Sequence, residues 1–426
     1  MDWVRQRWKL SEGDLSNFEY ENRICKVIRL SYDEQKQRKV EHWDLLSDSQ
    51  WMDWFQRETL IPEDSRNFTA SLVLGSRKED SNYGLSYLPF SRLVFERIYD
   101  RFFIHDSLAR TIFRNYAVVF SRTYLPIENS LGTCNLVYNC RSSAHWKDDI
   151  ALSSTYFPST GRTYAVFYGC NDTSAGKTVM ARIANRFIKS SENSFCHPML
   201  SVGIFAEIER SRMRELVLSG KTDLQDTIDA LQLHGYGAIT KFKSRVDPWL
   251  RIYSIRNGLE CWVQIVHKMV AHIDELAMPP CETNRRDEFS SAGSRIKDRL
   301  GEIHLEYLEL IRECNMIIDG MTLSTNMALA RDNMSEGKQM KAIAVVTMVF
   351  LPATFVATLF SMTLFDLDSS SMWLYPSIAI PLTIIVLGIY VFVVLRPREK
   401  WMMRNPDPCH NNEKKRDERL AWLHWV

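Results

Sequence analysis

The chain has 426 residues, is 45% hydrophobic and 25% charged, and carries a formal net charge of +1. That length holds two or three domains, and so even a charge balance excludes a protein that grips nucleic acid or acidic substrates by bulk electrostatics. The nine cysteines include no Cys-x-x-Cys pair, which fits neither a disulfide framework nor a zinc site, so they read as reduced thiols.

Residues Met1 to Trp8 lack the apolar core of a secretory signal, so the N-terminal region is expected to stay in the cytosol. Residues 1–198 read as a cytosolic α/β domain. Strand-like runs at Ser71–Leu74 and Tyr164–Tyr168 alternate there with a helix-like stretch from Leu93 to Arg114. Residues 199–294 read as a helical region followed by a linker, marked by Pro279-Pro280 and the polar run from Cys281 to Ser294.

A long stem helix is expected over 295–341. Ile296, Leu300, Ile303, Tyr307, Leu310, Cys314, Ile317 and Met321 follow alternating steps of four and three, the 3.5-residue repeat of a narrow helical seam. Such a seam predicts self-association, with packing on the chain's own domain as the alternative. Residues 342–365 and 372–395 hold no charged side chain. Each run of about 24 residues makes a helix of roughly 36 Å, long enough to span a bilayer. The loop at 366–371 permits only a tight hairpin between them. Lys338 and Lys341 precede the first run, and Arg396, Arg398, Lys400 and Arg404 follow the second, while the loop has neither Lys nor Arg. The positive-inside rule therefore predicts two spans with both termini cytosolic, and residues 396–426 form a charged cytosolic tail.

Motifs for covalent chemistry fail. Ser174-Ala175-Gly176-Lys177-Thr178 resembles the end of a phosphate-binding loop, but Asn171 stands where that loop needs glycine. The ten histidines form no His-Glu-x-x-His helix, and the five-residue spacing of His267 and His272 separates them around a helix. No catalytic residue, resident metal site, cofactor or small-molecule substrate is expected, so the chain does not read as an enzyme.

The strongest signal is a polar stripe in the first span. At about 100° per residue, Thr347, Thr354, Thr358 and Ser361 fall within roughly 60° of one another, and Met340 and Leu351 lie on the same face. A stack of hydroxyls in an apolar helix calls for water, an ion or a partner helix. In a closed ring of copies, this face would line a narrow channel with Asp366 and Asp368 at its outer mouth, where carboxylates concentrate cations.

Met340-Lys341, Phe350-Leu351-Pro352-Ala353-Thr354-Phe355 and Phe360-Ser361-Met362-Thr363-Leu364-Phe365 together resemble the first span and signature of the CorA-type magnesium transporters, particularly the divergent fungal CorA-like branch. Trp373-Leu374-Tyr375, Pro381-Leu382-Thr383, His197-Pro198-Met199-Leu200 and Phe205-Ala206-Glu207-Ile208-Glu209-Arg210 are also similar to that branch. The resemblance implies a CorA-like fold class: an α+β cytosolic domain, a long stem helix and a two-helix transmembrane hairpin, assembled as a homo-pentamer in the bilayer. It implies Met340, Thr347, Leu351, Thr354 and Thr358 as pore-lining residues. It implies a cation-capturing outer mouth at Ser361, Met362 and Thr363, beside the Asp366 and Asp368 read from the loop. The family's Gly-Met-Asn signature reads Ser361-Met362-Thr363 in this chain. The expected function is passage of a divalent cation, magnesium foremost, with a non-conducting membrane-anchored sensor or scaffold as the alternative.

Overall fold

The computed structural model describes residues 10–32, 37–59, 69–78, 84–113, 118–126, 134–143, 146, 148–170, 178–190, 197–234, 247–276, 286–361 and 373–394. They divide into two compact units, one reaching Thr325 and the other starting at Asn326, and each is described by itself.

The first unit is built on a mixed sheet. Its strands are β2 (Cys25–Tyr32), β3 (Arg38–Leu45), β4 (Thr69–Ser76), β6 (Val119–Pro126), β7 (Cys134–Arg141), β8 (Ala151–Phe157) and β9 (Arg162–Cys170). Their order is β3-β2-β4-β9-β8-β7-β6, with β4 and β9 parallel and every other neighbour antiparallel. A small parallel pair, β1 (Glu19–Tyr20) and β5 (Tyr87–Leu88), lies apart from it. The strand-like runs at 71–74 and 164–168 fall within β4 and β9. Every residue of β9 is buried, as expected for a central strand covered on both faces.

One face carries α1 (Glu12–Ser16), α2 (Asp48–Thr59), α3 (Arg92–Arg101) and α4 (Ser107–Phe113). Trp51, Trp54, Phe90, Phe95 and Ile98 pack there against Val27, Val73 and Val166 of the sheet. The helix predicted over 93–114 is thus two helices. Phe103 takes φ +55°, a left-handed conformation that ends one helical run before the next begins. Ser91 caps α3 by accepting from Val94 N at 3.2 Å.

The other face carries α5 (Val179–Ile188), α6 (Leu200–His234) and α7 (Asp247–Leu276), followed by α8 (Arg286–Phe360). Thr178, the last residue of the failed phosphate-loop motif, caps α5 by accepting from Ala181 N at 2.9 Å, while 171–177 lie outside the described residues. A run of rings joins the layers. Phe167 of β9 meets Phe205 of α6, Phe205 meets Trp262 of α7, and Trp262 stacks on Tyr307 of α8 at 6.1 Å.

This packing corrects the expectation of a self-associating stem seam. Ile296, Leu300, Ile303, Tyr307, Cys314 and Met321 are buried within the chain itself. The seam is regular because helices of the same unit cover it. The face of α8 left open in this unit carries Leu305, Leu308, Met316 and Leu323, which are between 40% and 62% exposed.

Two stretches noted in the sequence serve as joints. Glu207 accepts from Arg186 of α5, Arg210 of α6 and Arg299 of α8, at 3.2, 2.7 and 2.7 Å. Burial alone would raise its carboxyl, but the bonds from Arg210 and Arg299 bring it below the ordinary value. His197 is buried, its Nδ1 accepts from Met199 N at 3.2 Å beside the start of α6, and its ring lies 4.5 Å from that of Phe289.

Burial, reinforced by nearby His272, pushes the His197 imidazole down to about 3. His272 is lowered as well, first by burial. The His197 ring stays neutral in the fold and takes a proton in the unfolded chain below about pH 6.5. Its contribution is therefore complete above that pH and is lost as pH falls, by roughly 1.4 kcal/mol per pH unit. Thermal unfolding measured from pH 7.5 to 5 is expected to show Tm falling steadily. His197→Asn should flatten that slope, and an unchanged slope would remove His197 as its source.

Candidate functional site

The second unit contains the C-terminal part of α8 and helix α9 (Leu374–Val394). Among the described residues, α8 is long and apolar enough to cross a membrane, and α9 contains a shorter apolar stretch, Pro376–Tyr390. Pro352 sits inside α8 and has no N–H to give the carbonyl one turn earlier.

The predicted stripe lies along α8. Met340, Thr347, Leu351, Thr354, Thr358 and Ser361 are all exposed, with Met340 at 71% and Leu351 at 69%. Pro352 and Val356 are buried, and they project about 140° and 180° around the helix from Thr347. Most of this stretch is nonetheless exposed, Val345 and Val349 beside them as well as the hydroxyl face. Leu351, Pro352, Thr354, Phe355 and Thr358 line a cleft of 460 Å³ with Leu382 and Val386 of α9.

Each hydroxyl on the stripe spends its proton on its own helix. Thr347 Oγ1 donates to Ile343 O and Ala344 O at 3.1 and 2.9 Å, and Thr354 Oγ1 to Phe350 O and Leu351 O at 2.9 and 3.0 Å. Thr358 Oγ1 donates to Thr354 O and Phe355 O at 2.9 and 2.8 Å, and Ser361 Oγ to Thr358 O at 3.1 Å. With the donor used, what the oxygens offer outward is lone pairs. A row of acceptors suits a cation, or the hydrogens of water around one, and disfavours an anion.

Of the expected outer-mouth residues, Ser361 is placed at the end of α8, while Met362, Thr363, Asp366 and Asp368 lie outside the described residues. Among the described residues, no group of three or more His, Cys, Asp or Glu side chains is placed to hold a metal. The direction of the hydroxyl protons was invisible to sequence reasoning.

An α+β unit precedes a helix whose length and composition suffice to cross a membrane. The chain is similar to the CorA magnesium transporter of Methanocaldococcus jannaschii, at 11% identity and a TM-score of 0.47 over 85% of this chain and 96% of that one. It is also similar to the full-length CmaX protein, at 10% identity and a TM-score of 0.47 over 87% of this chain and 98% of that one. No protein-family model matches the chain, and no curated protein matches it.

Proposed function

We propose that this is a non-enzymatic membrane channel that passes a divalent cation, magnesium foremost, through a homo-oligomeric pore lined by the hydroxyl face of α8. The observation that carries this reading is the outward row of oxygen acceptors at Thr347, Thr354 and Thr358 on one face of an apolar helix. In a bilayer the outward lone pairs gain partners only from water or from other copies. A ring of copies supplies both.

The open apolar row Leu305, Leu308, Met316 and Leu323 supports association in the first unit, because adjacent copies would cover it. Two spans, cytosolic termini, a pentamer and kinship with the divergent fungal branch are part of the proposal, and rest on the Lys/Arg asymmetry and the CorA-type motifs. In place of the family's asparagine, the Thr363 ring would hold hydrated magnesium weakly, and capture would fall to Asp366 and Asp368. The altered Ser361-Met362-Thr363 signature is also what favours the second reading, a membrane-anchored scaffold without transport.

Purified protein in liposomes decides between them. Magnesium, cobalt, nickel and zinc are each offered to dye-loaded vesicles. The channel reading expects flux of at least magnesium, and the scaffold reading expects flux of none. Within the channel reading, Leu351→Asp should change the flux several-fold, whereas Val349→Ala, about 160° around the helix, should leave it unchanged. Equal effects at the two positions would make the stripe a packing seam.

A further inference from the structure

In the first unit, α7 and α8 lie side by side and antiparallel, in a register that can be read from their contacts. Arg256 Nη1 donates to Asn315 Oδ1 at 3.4 Å, the rings of His267 and His304 stand 6.3 Å apart, and Lys297 Nζ donates to Asp274 Oδ1 at 2.6 Å. Each step up α7 is matched by an equal step down α8, so His267 and His304 are register partners. Their pairing is fixed by the helix packing.

We propose that His267 and His304 form a binding site for a borderline-soft divalent ion of the zinc or nickel class. Two imidazoles hold the ion and water completes its coordination. The dimensions fit. Zinc–nitrogen bonds are about 2.0–2.1 Å, so two imidazoles on a tetrahedral ion place their ring centres roughly 5 Å apart. The observed pair is wider by about 1 Å, which rotations about the side-chain bonds of two histidines can supply. The rings are inclined by 51° rather than stacked, and His267 is exposed and His304 partly so, which gives the ion an open approach and room for its waters.

Nitrogen ligands also select the ion. Imidazole suits zinc, nickel, cobalt and copper, whereas magnesium keeps to oxygen. The site is therefore chemically separate from the acceptor row of the second unit, and the inference stands whether or not the chain conducts. Bound there, the ion would clamp α7 to α8, and any ligand held only by the folded state raises its stability.

The test uses the full chain in detergent. Equilibrium dialysis against zinc or nickel should find one more ion per chain in the wild type than in His267→Ala or His304→Ala, and the double variant should lose no more than either single one. At about a 100-fold excess over Kd, the metal should raise the wild-type Tm by several degrees and leave each variant unmoved, and magnesium should do neither. Copper-loaded protein read by electron paramagnetic resonance gives an independent signature: coupling to two imidazole nitrogens in the wild type and to one at most in each single variant. The same number of ions bound by the wild type and the double variant, or a Tm rise that survives both substitutions, would overturn the site.

Discussion

Replacing Asp149 by alanine is expected to lower the stability of the first unit by roughly 3–5 kcal/mol, because it removes the carboxylate that two buried guanidinium groups share. Arg77 Nη1 donates to Asp149 Oδ1 and to its carbonyl at 2.7 Å each, and Arg141 Nη2 donates to Asp149 Oδ2 at 3.0 Å. Arg141 Nη1 also reaches Thr111 O and Ile112 O at the end of α4. The three side chains are 8% exposed or less. This one carboxylate therefore ties the residue after β4, the end of β7 and the end of α4 together. Gly169, at φ +78°, passes so close that an added Cβ would stand 2.9 Å from Asp149 O. A Tm drop on the order of 10 °C should accompany Asp149→Ala. Adding Arg141→Met should recover part of it by removing one of the two buried charges that the carboxylate had balanced. If the single variant melts with the wild type, the cluster is not holding the sheet end together.

Much of this fold was legible because its signals are local. The β-branched and aromatic runs at 71–74 and 164–168 fall inside strands, since short apolar runs bounded by turn residues have few other uses. The stem seam was legible as a period, but a period does not say what covers it. Trp262 and Phe205, which complete the stack on Tyr307, are brought there by tertiary packing alone. The helix break at Phe103 had no glycine or proline to announce it. The hydroxyl face followed from helical geometry, yet the direction of each hydroxyl proton depends on the χ1 the threonine adopts. Pairing His267 with His304 required the α7–α8 register, whereas the sequence offered only His272 as a helical neighbour.

The acceptor row yields the sharper functional test, because threonine and valine have nearly the same shape and differ in the oxygen. Thr354→Val with Thr358→Val removes two hydroxyls whose protons serve only their own helix. Such back-bonded hydroxyls add little to helix stability, so folding and assembly of the double variant should stay within about 0.5 kcal/mol of the wild type. What disappears is the outward lone pairs. In a pore, two successive rings of oxygen become rings of methyl, which no longer replace or hold the water around a divalent ion, and an apolar constriction of that kind favours dewetting. Magnesium flux into liposomes is expected to fall at least about tenfold, with the oligomer intact on size exclusion and unchanged in Tm. A helix-packing seam gives the opposite pattern: an oligomer that loosens or tightens, with flux following assembly. Wild-type flux through the double variant would sink the assignment of this face to the conduction path, and the hydroxyls would then be ordinary back-bonded threonines.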